Sequence, residues 1–349
     1  MHLKSDRELK TNLKTAEFEL LVPANNVTIA KKAILAGADA VYLGYSKYGA
    51  RLQAGNSISD LIEIIQFAHL YGAKVYITLN TILNDKEINK VEKLIKRLYL
   101  IKADGIIIQD MGILECKLPP IPIIASTQCH NNTLDKIKFL EKTGFKRVIL
   151  PRELSLDEIK RIGNNTSIEL ECFIHGALCM SYSGQCYMSF VQGGRSANRG
   201  ECAQPCRKKY SLVDENGNYI AKNQHLLCLK DFNASKHIEK LVNIGVTSFK
   251  IEGRLKDENY VKNITLFYRN LLDNFCQKTS SGKVFADFKP NPDKSFNRKF
   301  TDYFLEKRKE IFNFSSPKSW GEYIGKVKKI GENYFEIDTR SEERRVGKE

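Results

Sequence analysis

The sequence predicts an α/β protein built on a (β/α)8 barrel of the TIM type, carrying one long insertion. The first observation is that short apolar runs alternate along the chain with segments of amphipathic helical period. The second observation is that eight such runs occur, each followed by a helix-like segment, and eight is the strand number of this closed barrel. The third observation is a glycine between helix and strand in AGADAVYLG, YGAKVYIT, TGFKRVIL and IGVTSFKI, where it is well placed to end the helix.

The predicted strands and helices alternate from the first βα unit to the last. The strands are Phe18–Val22, Ala40–Leu43, Lys74–Thr78, Gly105–Ile108, Ile121–Ala125, Arg147–Leu150, Ile168–Ile174 and Ser248–Ile251. The helices that follow them are, in the same order, Thr28–Ala36, Ser57–Tyr71, Glu87–Ile101, Gly112–Lys117, Asn132–Thr143, Ser155–Gly163, Ala234–Ile244 and Asn259–Phe275. Because the C-terminal ends of parallel barrel strands share one face, functional side chains are expected in the loops that follow the strands.

The barrel is one of several predicted segments. These are an N-terminal extension (1–16), the barrel (17–279) with its cysteine-rich insertion (175–230), a linker or wrapping arm (280–316), the start of a small β domain (317–339) and a tail (340–349). The β domain is predicted to be truncated, because GEYIGKVKKIGENYFEID has the pattern of a single hairpin and a lone hairpin is marginally stable. The tail RSEERRVGKE resembles a translated sequencing adapter and is predicted to be non-native, with a charged disordered tail as the alternative.

The loop after the seventh strand is the most unusual part of the sequence. It is about fifty residues long, and loops far above the usual length are either functional or disordered. It contains four cysteines with the spacing Cys179-x6-Cys186-x15-Cys202-x3-Cys206. Four thiolates from one irregular segment suit a tetrahedral zinc ion or an iron–sulfur cluster. Their wide and uneven spacing favours a cluster, because zinc knuckles usually bring cysteines in close pairs.

Disulfides and core packing are the alternative explanations for the cysteines. The total of nine is odd, and the charged N-terminus MHLKSDRELKTNLK lacks the apolar stretch of a secretory signal. A reducing cytoplasm is therefore expected, where disulfides are rare. Lone thiols with a structural role are predicted at Cys116, Cys129, Cys172 and Cys276.

Several stretches carry a resemblance to a known family. FIHGALCMSYSGQCYMS and GGRSANRGECAQPCR resemble the signature of the U32 family, historically filed as collagenase-like peptidases. ELLVPANNVTIAKKAILAGADAVYLG, YGARLQAGNS, QDMGILE, SFKIEGRLKDENYVKNIT and TDYF are similar to it as well. The resemblance implies an RNA-modifying hydroxylase, most similar to members that convert a cytidine of 23S ribosomal RNA to 5-hydroxycytidine. Other members act on the wobble uridine of transfer RNA or on a quinone precursor.

The resemblance also implies a cofactor and a co-substrate. It implies a 4Fe–4S cluster held by Cys179, Cys186, Cys202 and Cys206. Cys228 is the alternate fourth ligand, because family members differ in which of these two downstream positions supplies it. The ribosomal type has serine at the position of Cys228, which favours Cys206. Prephenate, a dicarboxylate, is implied as the hydroxyl donor in place of molecular oxygen.

Candidate catalytic residues lie at the ends of the seventh and eighth strands. They are His175, Lys250, Glu252 and Arg254. Lys250 and Glu252 share one strand face because side chains alternate with a period of two, and a guanidinium binds carboxylate or phosphate groups bidentately. A structural ion pair at the barrel rim is the alternative. Candidate substrate-binding residues are Gln128, Arg152, Glu153, Arg195 and Arg199.

The composition bears on partners and location. A formal net charge of +14 favours a polyanionic partner, although a lysine-rich composition could produce the same charge. The resemblance implies that this partner is ribosomal RNA or its precursor, with transfer RNA as the alternative. No apolar run approaches the roughly twenty residues that span a bilayer, so a soluble, cytoplasmic protein is expected.

Two other function classes compete with hydroxylation. A U32-type peptidase follows from the family's older description, but the sequence contains neither H-E-x-x-H nor G-x-S-x-G. A nucleophilic pair of Cys179 and His175 would be incompatible with Cys179 as a cluster ligand. A non-catalytic iron–sulfur protein that binds RNA is the third class.

Overall fold

The computed structural model describes residues 17–50, 55–275, 277–308 and 310–338. The predictions for residues 1–16, for Cys276 and for the tail 340–349 lie outside these ranges. Within the described ranges, no helix combines the length and the apolar character needed to cross a membrane.

Eight parallel strands close into a barrel, which confirms the predicted fold class. The strands are β1 (Glu17–Pro23), β2 (Ala40–Tyr45), β3 (Lys74–Leu79), β4 (Gly105–Ile108), β5 (Ile123–Ala125), β6 (Arg147–Ile149), β7 (Glu169–Ala177) and β8 (Ser248–Ile251). Each pairs with the next in sequence, and β8 pairs with both β7 and β1, so the sheet has no open edge. The C-terminal ends of all eight therefore surround one mouth.

Helices surround the barrel and are capped where the sequence offers capping residues. They are α1 (Val27–Leu35), α2 (Ile58–Leu70), α3 (Asp85–Leu100), α4 (Leu134–Lys142), α5 (Leu156–Gly163), α7 (Ile238–Ile244) and α8 (Glu258–Leu272), with α6 (Met188–Gly193) inside the insertion. Ser57 with Asp60 and Ser155 with Glu158 form capping boxes, in which each side chain satisfies a backbone N–H of the other residue.

The expected helix Gly112–Lys117 is instead the short 3₁₀ segment Met111–Glu115. Pro119 and Pro120 follow within five residues of Glu115 and lack the N–H that a continuing helix would need. The fourth strand is therefore followed by a 3₁₀ segment where the sequence predicts an α-helix.

The strand β7 extends further than predicted, to Ala177. Its end is paired antiparallel with the short strand Asp231–Asn233, which in turn pairs with Phe300–Thr301. His175 consequently lies within a strand. The segment 280–316 contacts the barrel through this pairing, and Leu305 O accepts a hydrogen bond from Leu156 N at 2.9 Å.

Other short strands complete the structure. Gln277–Lys278 pairs with β1, and Gly55–Asn56 pairs with β2. Two antiparallel hairpins lie outside the barrel, Tyr210–Val213 with Tyr219–Gln224 inside the insertion and Lys326–Ile330 with Phe335–Asp338 near the C-terminus. The second is the small β element that the sequence predicts after the arm.

Candidate functional site

The insertion brings the thiols of Cys179, Cys186, Cys202 and Cys206 together. Cys179 lies just after β7, and Cys186 lies just before α6. Cys202 precedes the 3₁₀ turn Pro205–Arg207, and Cys206 lies within that turn. Partial desolvation raises the pKa of Cys179, and the thiols of Cys186 and Cys202 add to this shift. Burial raises the pKa of Cys206 to about 11, with contributions from the three other thiols. Cys179 and Cys206 therefore each lie near other thiols of this group.

Four cysteine thiols can hold a tetrahedral zinc ion or an iron–sulfur cluster. Four sulfurs each about 2.3 Å from zinc would lie about 3.8 Å from one another. Among the described residues, the one group of three or more ligating side chains within 4.8 Å is His237, Asp302 and Glu306, so no three of the four thiols are that close. A four-iron cube is wider than one ion and is held by four cysteines.

Cys228, the alternate ligand, has different surroundings. It is fully buried, and Arg207 Nη1 lies 3.1 Å from its sulfur. The same guanidinium donates to Leu229 O at 2.7 Å and to Leu178 O at 2.9 Å. Arg207 therefore joins the Cys228 thiol to the backbone beside Cys179.

Two βα connections at the barrel mouth hold the insertion in place. Arg199 forms a bidentate pair with Glu87, at 2.8 and 3.1 Å, and donates to Ile82 O. Glu153 accepts from the backbone N of Ser183 at 2.7 Å and from its hydroxyl at 3.2 Å. The structure thus gives Arg199 and Glu153, both predicted to bind substrate, contacts that anchor the insertion.

At Gly184 the insertion backbone approaches the barrel closely. Its φ is +74°, and a Cβ at this position would lie 2.0 Å from Gln128 O. Gln128, also predicted to bind substrate, presents its backbone here and accepts from Gln109 Nε2 at 3.3 Å. Arg195 is exposed and donates to Glu201 O at 3.0 Å.

Lys250 occupies the barrel interior below the mouth. Its amine lies 2.7 Å from Glu171, and both side chains are buried. It also lies 4.1 Å from the centre of the Tyr42 ring. Burial lowers the pKa of Lys250, while the charge of Glu171 acts in the opposite direction.

Two arginines complete a cationic group around the same rings. Arg152 pairs with Glu252 at 2.8 Å and stacks 3.6 Å from the centre of the Phe173 ring. Arg254 donates to Thr78 Oγ1 at 2.9 Å. The predicted residues Lys250, Glu252 and Arg254 are therefore brought together with Arg152, across strands β6 and β8. Arginine and lysine in a largely buried setting are suited to an anionic ligand.

Some buried polar atoms at this mouth have no hydrogen-bond partner within the described chain. Among them are Arg152 Nε, Gln109 Oε1, Asn25 Oδ1 and Thr127 Oγ1, which follow strands β6, β4, β1 and β5. Because buried polar atoms are normally paired, their convergence on one face indicates a place where a ligand binds.

His175 is buried, with 1% of its surface exposed to solvent. Its Nδ1 lies 3.2 Å from the Tyr268 hydroxyl, and its ring contacts Tyr260 and Phe300. Burial lowers its pKa to about 3, so the imidazole is neutral near pH 7. Its catalytic role stays a prediction.

Sequence reasoning did not nominate Tyr303, which the arm brings to the site. Burial raises its pKa to about 12, and Glu153 and the Cys179 thiol are the next largest causes. Tyr303 therefore lies near Cys179, although it follows that residue by more than a hundred residues. TDYF contributed to the family resemblance, but it has no periodicity that would place it at the mouth.

The U32 peptidase family model matches residues 25–313, which include the four cysteines and the strand-end cations. The chain belongs to the U32 family. A U32 peptidase of known structure aligns with 72% of this chain and 96% of its own, at 12% identity and a TM-score of 0.46. The family assignment therefore depends on the sequence match.

Two relatives of the chain are informative. The chain is 48% identical over 91% of its length to the 23S rRNA 5-hydroxycytidine synthase of Escherichia coli and spans 50% of that protein. It is 34% identical to tRNA hydroxylation protein P1 of Bacillus subtilis, covering 90% of this chain and 78% of the relative. This U32 chain thus spans about half the length of the first relative.

Proposed function

We propose that this chain is the barrel part of an RNA hydroxylase that converts cytidine to 5-hydroxycytidine in 23S ribosomal RNA. The observation that carries the proposal is the 48% identity to a synthase of that nucleoside over 91% of the chain. The gathered thiols and the cationic barrel mouth support it, because they supply a cofactor site next to an anion site. The reaction is proposed to proceed without molecular oxygen.

A 4Fe–4S cluster is the proposed cofactor, held by Cys179, Cys186, Cys202 and Cys206. The mutual proximity of the four thiols supports this donor set. A bound cluster would supply redox or Lewis-acid chemistry at the mouth of the barrel. The Arg199–Glu87 pair and the Ser183–Glu153 hydrogen bonds hold the insertion on the strand ends, and they would thereby position the cluster there.

Prephenate is the proposed hydroxyl donor. A dicarboxylate needs more than one cation, and Arg152, Arg254 and Lys250 converge around the rings of Tyr42 and Phe173. The Arg152 Nε atom has no protein partner in the described chain, which leaves one donor for a carboxylate. Removal of Arg152 should therefore raise the prephenate concentration needed for activity.

Transfer RNA is the second candidate substrate, favoured by the match to tRNA hydroxylation protein P1. The two candidates differ in product, since the first yields 5-hydroxycytidine in ribosomal RNA and the second a hydroxylated wobble uridine in transfer RNA. A peptidase would yield neither product.

The deciding experiment compares purified ribosomal and transfer RNA from cells with the complete gene, without it, and with a Cys202→Ser version. Mass spectrometry of the nucleosides should find 5-hydroxycytidine in ribosomal RNA only with the intact gene. A Cys116→Ser version is the control, because that thiol directly follows the 3₁₀ segment after β4, outside the insertion. Hydroxyuridine lost from transfer RNA instead would support the second candidate, and unchanged nucleosides in both RNAs would contradict hydroxylation.

A further inference from the structure

The insertion presents an exposed cluster of large apolar side chains beside the cysteines. Tyr182 is 61% exposed, Tyr187 59% and Phe190 56%, and Val191 is also exposed. Large apolar groups concentrated on one surface segment are a mark of interaction sites. We refer to Tyr182, Tyr187 and Phe190 as the aromatic surface.

The local fold directs these rings outward. Tyr187 precedes α6, and Phe190 and Val191 follow it by three and four residues, which places all three on one helix face. Ser189 is buried on the opposite face, where its hydroxyl accepts from Ala203 N at 2.9 Å. This contact ties α6 to the turn between Cys202 and Cys206.

Tyr182 connects the aromatic surface to the barrel mouth. It lies in the chain between Cys179 and Cys186. Its ring meets His130, in the loop after β5, edge to face with centres 5.5 Å apart. The aromatic surface therefore belongs to the same chain segment as the cysteines and contacts the loop after β5.

The charges of the same segment indicate the chemistry of its partner. Residues 178–213 contain five arginines and lysines and one acidic residue, Glu201. Arg195, Lys208 and Lys209 are exposed. Exposed rings combined with cations are typical of proteins that bind unpaired nucleotides, because bases stack on the rings while cations contact phosphates.

We propose that the aromatic surface stacks unpaired nucleotides next to the target base, so that the protein binds its RNA in a single-stranded form. This inference rests on the proposed function, since it takes RNA as the substrate class. Charge complementarity and the position of the surface in the same chain segment as the cysteines argue for RNA over an apolar protein partner. A base within a duplex could not reach these rings, since its faces are already stacked on neighbouring bases.

The test uses the complete protein with a Tyr187→Ala/Phe190→Ala double variant and a Phe139→Ala control. Phe139, on α4, has the same 56% exposure as Phe190 but lies outside the insertion. Fluorescence anisotropy measures binding of one labelled RNA strand, alone and annealed to its complement, at fixed salt. The double variant should bind the single strand at least roughly 5-fold more weakly, since stacking contributes strongly for each base. The control should bind like the wild type, and iron content should be equal in all three proteins.

Each outcome supports or overturns the inference. Unchanged single-strand binding by the double variant would overturn it, as would equal losses for single strand and duplex. Binding of anionic lipid vesicles, lost in the double variant while RNA binding persists, would assign the surface to a membrane instead. If wild-type protein shows the predicted stacking but leaves RNA nucleosides unchanged, the proposed function fails and this inference stands. If nucleosides are hydroxylated and stacking is absent, only the inference fails.

Discussion

The surroundings of Cys206 and Cys228 differ, although the two thiols belong to neighbouring parts of the fold. Cys206 lies among three other thiols, whereas Cys228 is fully buried and accepts a hydrogen bond from Arg207. A cluster ligand must be a thiolate that faces the iron. Cys228 is engaged by the Arg207 guanidinium, and Cys206 stays the proposed fourth ligand.

Serine replacement of single cysteines is expected to separate these roles. Anaerobically purified wild type should contain about four irons per chain. Cys206→Ser should lose most of this iron, because one ligand of the cube is missing. Cys228→Ser should stay near full loading, because serine retains an acceptor for Arg207. Iron and acid-labile sulfide are measured for both variants. The opposite pattern would assign the fourth position to Cys228.

The buried His175 makes stability depend on pH in a defined direction. Its pKa falls from 6.5 to about 3 on folding, so between these values the unfolded chain binds a proton that the native chain does not. The neutral imidazole therefore contributes stability that is fully present above pH 6.5 and is lost as pH falls toward 3. The slope is about 1.4 kcal/mol per pH unit at most.

Urea unfolding of wild type and His175→Gln between pH 7.5 and pH 4.5 should show this difference. The wild type should lose stability steeply below pH 6.5, and the variant, which carries no titrating group there, should lose less. Phe139→Ala removes an exposed, non-titrating side chain from α4 and is the control, expected to keep the wild-type slope. Equal slopes for wild type and His175→Gln would contradict the placement of a neutral imidazole in the core.

At the scale of elements, periodic segments were predictable and irregular ones were not. Helix α2 and strand β8 lie at their predicted positions within one or two residues, because apolar period and caps depend on local sequence. The insertion has no period, so its cysteines could be grouped by residue type but its contacts with Glu87 and Gln128 could not be predicted. Tyr303 was missed for the same reason, since its position depends on strand pairing between Phe300–Thr301 and Asp231–Asn233.

Gly184 is an element-scale contact that should be sensitive to mutation. Alanine there would place Cβ 2.0 Å from Gln128 O at a φ of +74°, so backbone must move. We expect Gly184→Ala to destabilise the seating of the insertion by about 1–3 kcal/mol. Limited trypsin digestion should then cleave faster at the insertion's exposed basic residues, and iron retention should fall.

Gly193→Ala is the matched control for this substitution. Gly193 lies in the same insertion, its Cβ would have no neighbour within 4 Å, and its φ is not in the left-handed region. Its digestion rate should equal that of the wild type. Identical behaviour of the two variants would show that the insertion does not depend on close contact at Gly184.

For the whole molecule, the barrel's strand number and closure followed from sequence, but its charged interior did not. Arg147 of β6 contacts Glu19 of β1, Glu171 of β7 at 3.2 Å and Ser248 of β8 at 3.2 Å. Arg147 and Glu19 are charged residues in otherwise apolar strand segments, and a local pattern alone would place such residues at exposed positions. Their pairing across the barrel is a property of closure, which no local window contains.

This interior network predicts how strongly the closed barrel depends on one residue. Burial alone would raise the pKa of Glu19, but the Arg147 guanidinium brings it below its usual value, so Glu19 is charged in the core. Arg147→Met should leave the carboxylates of Glu19 and Glu171 without this partner and cost about 3–5 kcal/mol. Lys31→Met removes a cation from the exposed pair with Glu63 and should cost less than about 1 kcal/mol. Urea midpoints followed by circular dichroism measure both variants at pH 7. Equal midpoints would mean that the barrel interior tolerates unpaired carboxylates, because water reaches them or protons neutralise them. Closure of the barrel would then not depend on these charges.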